Sequence, residues 1–117
     1  MAADFAGSYR PVVTPELLAF VERAFVEPAP AEQRDEVRSA ALAELSDAEL
    51  VLEADGTLIS RSQGVDFVRV QLSPARLGAQ ESSFEKAPGV IVTLRRIDAD
   101  TLVADQPGKP AITFRRR

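Results

Sequence analysis

Between Ala48 and Leu72 the chain reads AELVLEADGTLISRSQGVDFVRVQL, two apolar-polar alternating runs joined by Asp55-Gly56 and a third run after Gln63-Gly64. A period of two buries one face of a strand. An Asp-Gly pair between two such runs is the strongest short-range hairpin signal, because a two-residue type I′ loop needs positive φ at both positions. The stretch is therefore read as the nucleus of a β-meander, with strands over residues 49–54, 57–62 and 65–72. Two registers fit the first turn. A two-residue loop sets Leu52 opposite Ile59, with Leu50 on the same face and Leu58 on the other, whereas a bulged three-residue loop brings Leu58 inward. Val68, Val70 and Leu72 share a face and leave Phe67 and Arg69 on the opposite one.

Ahead of the nucleus, residues 5–10 read as a first strand that Pro11 confines to a sheet edge or ends. Thr14-Pro15-Glu16 is a helix start with its mechanism visible: a Thr cap, a proline whose missing N–H costs nothing at the first position, and an acid at the positive end of the dipole. This helix runs to about Val26, with Leu17, Val21, Ala24 and Phe25 on one face and Leu18 and Phe20 widening it. Glu27-Pro28-Ala29-Pro30 breaks it. A second helix over residues 31–45 carries an inner stripe of Val37, Ala40, Ala41 and Leu45 and a charged outer face. After the nucleus, residues 73–89 lack a clear period and read mostly as loop, with a short strand near Phe84. Strands follow over residues 90–97, 101–104 and 111–115, turning at Asp98-Ala99-Asp100 and at Gln106-Pro107-Gly108-Lys109. The fold class is thus α+β in a single domain over residues 1–117: a two-helix insertion after the first strand, then an antiparallel meander. Seven strands form a curved sheet or a partly open barrel.

At 117 residues and 45% hydrophobic composition the chain buries one sizeable core without staples. It has no Cys and no His, which removes disulfides, thiolate metal sites and the usual general base near neutral pH. No cofactor is expected, and a non-enzymatic role is favoured. The net charge of −4 argues against a nucleic-acid partner. Residues 14–47 hold eight acids and three arginines, while residues 89–117 hold six basic residues and three aspartates; solvated faces account for both. No run approaches the ~20 apolar residues of a membrane span, and Met1-Ala2-Ala3-Asp4 has neither a basic nor an apolar leader region. A cytoplasmic monomer or weak homodimer is the expectation.

Gly7-Ser8-Tyr9 on the first strand, a helix pair after it, an uninterrupted meander and a last strand ending Phe114-Arg115-Arg116-Arg117 together resemble the calycin superfamily, in particular bacterial lipocalin-like domains. The resemblance implies that Gly7-Ser8-Tyr9 stands where those families carry Gly-x-Trp, at the closed end of a barrel. It implies that Arg115 or Arg116 lies over the Tyr9 ring, and that the helix pair resembles the lid of fatty-acid-binding proteins. A cation–π contact of this kind contributes about 0.5–2 kcal/mol when desolvated.

On this reading the concave face presents Leu52, Val70, Val92 and Phe114 to a small apolar or amphipathic ligand, and Phe20 and Phe25 line a portal beneath the helices. Arg69 and Arg95 are candidates for anchoring a ligand carboxylate by a bidentate pair if alternation turns them inward. The bland alternatives are a solvent-facing Arg69 and Arg95 and a core Phe20 and Phe25. The rival function is a protein-interaction module with a filled core that docks through its acidic helices or a strand edge. Asp55, Asp98 and Asp100 are read as turn residues.

Overall fold

A computed structural model describes residues 5–117, and its strands and helices are counted among those residues. The first four residues, from which the lack of a leader is read, lie outside them. The meander nucleus forms as β2 (Glu49–Leu52), β3 (Thr57–Ser62) and β4 (Val65–Gln71). Its first turn takes the bulged form. The Glu53 N–H donates to the Thr57 carbonyl at 2.9 Å, leaving three residues outside the pair, of which Gly56 alone has positive φ (97°). Leu52 consequently faces Leu58 and Val51 faces Ile59. Leu58 enters the core, while Ile59, read as inward under the two-residue loop, belongs to the other face, where it is also buried.

Asp55 explains the choice. Its Oδ1 accepts the Thr57 hydroxyl at 2.7 Å and the Thr57 N–H at 2.9 Å, bonds that hold its pKa below the ordinary 3.8 and close the turn while Asp55 keeps a negative φ. The mirror-image two-residue turn comes one hairpin later, at Gln63 (φ 52°) and Gly64 (φ 78°) between paired Ser62 and Val65.

β1 spans Gly7–Pro11. Thr14 caps α1 (Pro15–Val21), its Oγ1 accepting the Leu17 N–H at 3.2 Å. The helix then widens into a π turn over Glu22–Val26, closed by the Glu27 N–H on the Glu22 carbonyl at 2.8 Å. A π bond spans five residues instead of four, so the residue that follows Leu17 and Val21 inward is Val26. Ala24 and Phe25, read as part of the inner face, are exposed. A 3₁₀ turn over Ala31–Gln33 leads into α2 (Arg34–Ser46), which buries no residue fully; Val37, Ala41 and Leu45 are half-buried and Ala40 is exposed.

Residues 73–89 are not mostly loop. Ser73 caps a single helical turn, α3 (Pro74–Gly78), by accepting the Arg76 N–H at 3.1 Å, and β5 covers Glu81–Ala87. Phe84 is its one buried residue, so the strand has no apolar alternation to betray it. β6 (Val90–Asp98), β7 (Thr101–Asp105) and β8 (Ile112–Arg116) complete the sheet. The described strands therefore number eight and not seven. Their order is β4-β3-β2-β1-β8-β7-β6-β5, antiparallel throughout and curved into a nearly closed barrel. β4 and β5 are the two edges, and no ladder joins them.

One end of the barrel is sealed. Tyr9 pairs with Arg116 across β1 and β8, and the Arg116 guanidinium carbon lies 4.9 Å from the Tyr9 ring centroid. Arg116 also donates to the carbonyls of Ala6 and, at 2.9 Å, Ala99, and its Nε reaches Asp100 at 3.2 Å. The Tyr9 hydroxyl donates to the Phe5 carbonyl at 2.6 Å. Gly7 makes room for this assembly, since a Cβ there would lie 2.8 Å from Arg116 Nη1. Phe5, Leu72 and Leu77 belong to the core cluster at the same end. The helix pair is added at the opposite end, beside the β3–β4 turn, and the radius of gyration, 15.0 Å, exceeds the roughly 13 Å of a compact chain of this length.

Candidate functional site

The mouth of the barrel is defined by what fastens the helices to it. Ser62, buried at the end of β3, donates its hydroxyl to the Glu44 carbonyl at 2.7 Å, and the Gln63 N–H donates to Asp47 Oδ2 at 2.7 Å. The C-terminal end of α2 is thus tied to the β3–β4 turn. The two helices are tied to each other by Arg38, whose Nε and Nη2 both meet the Glu22 carboxylate, the latter at 3.2 Å. The hydrogen bonds from Arg38 hold the Glu22 pKa below its ordinary 4.5. Arg34 secures the link between the helices by donating to the carbonyls of Ala29 and Glu27, each at 3.1 Å.

Beneath these helices lies an open groove of about 340 Å³. Leu17, Phe20, Val21 and Phe25 form one wall, Ala41, Leu45 and Ala48 another, and Phe67 and Val68 the floor. The Phe20 and Phe25 rings meet edge to face at 6.2 Å. A second space of about 110 Å³ sits inside the barrel among Leu50, Phe84, Val92, Leu94, Ile112 and Phe114. Ser60, Val68 and Lys86 line both, so groove and interior lie on either side of those three residues.

Two bulges interrupt the two edge strands here. On β4, Ser60 pairs with Val68 and Arg61 with Asp66, leaving Phe67 without a partner. On β5, Glu85 pairs with Ile91 and Ala87 with Val90, leaving Lys86 without one. An extra residue in one strand bends it and re-aims the side chain. Both bulged residues line the groove.

The structure distributes the sequence-derived candidates unevenly. Phe20 and Phe25 line the groove, and Val92 and Phe114 line the interior space. Leu52 and Val70 face inward but lie in the Leu52–Leu58–Val70 row, one row nearer the sealed end than Leu50–Ser60–Val68, and line neither space. Arg69 pairs with Ile59 on the outer face, 61% exposed, with Nη1 4.0 Å from Asp66. Arg95 also faces outward, 3.6 Å from Asp105. Neither arginine enters the cavity, because the inward positions of β4 and β6 belong to Val68 and Val70 and to Val92 and Leu94. Lys86, Ser60 and Phe67 are the site residues that apolar alternation does not single out, whereas Val68 is already on the inner face with Val70 and Leu72. For Lys86 the available signal is its place two residues beyond Phe84, visible once β5 is recognised as a strand. No family model matches the chain, and no curated protein or solved structure matches it.

Proposed function

We propose that this is a lipocalin-like, non-catalytic binding domain that holds a small apolar or amphipathic molecule at the barrel mouth, beneath the helix pair. The adjacency of groove and interior, which share Ser60, Val68 and Lys86 as lining, supports the reading. The groove alone falls within the roughly 300–1,000 Å³ of ligand pockets, and its lining is apolar with a few polar groups, the usual composition of such sites. Phe25 and Phe67, 53% and 59% exposed, lie at the groove, large apolar groups left to solvent that a bound molecule would cover.

The same exposed aromatics favour a second reading, a protein-interaction surface, if the groove takes a partner's side chains. Val68→Trp separates the two. Filling the junction of the two spaces should abolish displacement of a fluorescent acyl probe, at a stability loss of no more than the ~1–3 kcal/mol usual for overpacking. Native mass spectrometry of freshly purified protein should show a co-purified small molecule in the parent and none in the variant. A parent that binds no member of a lipid and small-hydrophobe panel would hand the site to the protein-interaction reading.

A further inference from the structure

Asp55 is the one aspartate of the chain that is followed by glycine, and the chain contains no asparagine. An Asp-Gly peptide is chemically labile. Glycine has no Cβ to shield its nitrogen, so Gly56 N can bond to Asp55 Cγ, the proton of that nitrogen leaving with the hydroxyl of the protonated carboxyl as water. Water then opens the resulting succinimide at either carbonyl. Opening at the Asp55 backbone carbonyl leaves the chain running through Cβ as isoaspartate, with the carboxylate now on Cα.

Hydrogen bonds at both residues oppose ring closure in the folded turn. The Gly56 N–H donates to the Glu53 carbonyl at 3.0 Å, which holds the proton that the nitrogen must lose, and the Gly56 carbonyl is fixed by the Leu72 N–H at 2.9 Å. Asp55 Oδ1 accepts the Thr57 hydroxyl at 2.7 Å and the Thr57 N–H at 2.9 Å, so the carboxylate is turned toward Thr57. The same bonds favour its charged form over the acid that gives up water. Gln71 Nε2 donates to the Asp55 carbonyl at 3.0 Å and restrains the peptide plane between the two reacting residues.

We infer that Asp55-Gly56 is a modification site gated by the fold: isoaspartate forms there while the β2–β3 turn is open and is held off while it is closed. The inference is independent of the groove, since this turn lies at the end of the barrel away from the helices. A molecule modified while open cannot restore the original bonds, because the backbone has gained a carbon and the carboxylate no longer stands where Thr57 meets it.

The test incubates the full-length protein at neutral pH, folded in buffer and denatured in guanidinium chloride. Isoaspartate at position 55 is then quantified in the tryptic peptide spanning residues 39–61. It should form at least roughly tenfold more slowly in the folded parent than in the denatured one, the factor that a single hydrogen bond to a charged group supplies. Thr57→Val removes the hydroxyl and keeps the N–H and the shape, and should raise the folded-state rate several-fold. Asp55→Glu, whose longer side chain does not close this ring readily, sets the background. Thermal melts establish that each variant is folded. Should Thr57→Val fail that check, Gln71→Met, which frees the Asp55 carbonyl, is read in its place and should raise the rate likewise. Equal rates in folded and denatured parent, or no increase in the folded variant that is read, overturns the inference.

Discussion

A Cβ placed on Gly56 would sit 1.9 Å from the Leu72 carbonyl oxygen, a backbone atom that cannot swing aside, because the Leu72 N–H is held by the Gly56 carbonyl at 2.9 Å. Gly64 has a similar positive φ but meets nothing within 4 Å. The two glycines separate conformational strain from steric overlap. Gly64→Ala should cost ~1 kcal/mol from φ alone, and Gly56→Ala clearly more, ~2–4 kcal/mol, measured by urea denaturation; equal losses would mean that the end of β4 relaxes freely. Asp55-Gly56 was legible as a turn, since both residues are turn formers. Its register was not, because that depends on which hydrogen bonds the Asp55 carboxylate makes. Tyr9 and Arg116 follow the same pattern. The Gly7-Ser8-Tyr9 element pointed to a covering arginine, but only the β1–β8 register decides that Arg116, opposite Tyr9, serves and Arg115, opposite Arg10, does not.

At the scale of elements, both helices were readable from their starts and stops, and the face they present was not. The cause is the π turn at Glu22–Val26, which replaces Phe25 with Val26 on the inner side and leaves Phe25 on the groove. No four-residue spacing encodes that. β5 and α3 escaped for a different reason: a strand with one buried apolar residue and a helix of a single turn carry too few residues to show a period. The helix pair itself is held together by Arg38 on Glu22, a half-exposed ion pair whose contribution to global stability is small beside the barrel's core. Arg38→Ala should therefore speed amide exchange in residues 15–26 and 34–46 while leaving the barrel strands protected. Acid should do the same to the parent protein. Glu22 has a lowered folded-state pKa, so its contribution is complete above the ordinary 4.5 and is lost as the pH falls through the lowered value. Uniform exchange changes over barrel and helices alike would show that the helices are not a separately opening unit.

Across the whole molecule, the meander nucleus and the helix insertion were sufficient to place the sheet in its class, and the apolar inner face was legible from alternation. The meeting of the first and last strands at Tyr9 and Arg116 was implied by the Gly7-Ser8-Tyr9 resemblance, but how nearly the barrel closes was not legible, because it depends on a strand that alternation missed. The same pairing has a kinetic side. Arg116 grips the Ala6 carbonyl across 110 positions of chain, so the contact that seals the barrel demands the largest loop the domain can make, and topologies of that kind fold slowly. The gap between β4 and β5 is where no ladder would be lost by a cut. A circular permutant opened between Ala79 and Gln80, with residues 1 and 117 joined through a short linker, turns the order of pairing into β5-β6-β7-β8-β1-β2-β3-β4. Every ladder then joins strands that follow one another along the chain. Such a permutant should refold faster than the parent in stopped-flow experiments while keeping the same barrel. The space between β4 and β5 is thus a seam: the connection across it joins the two strands of the sheet that share no rung, so the chain can begin anew there with every ladder kept between neighbours in sequence.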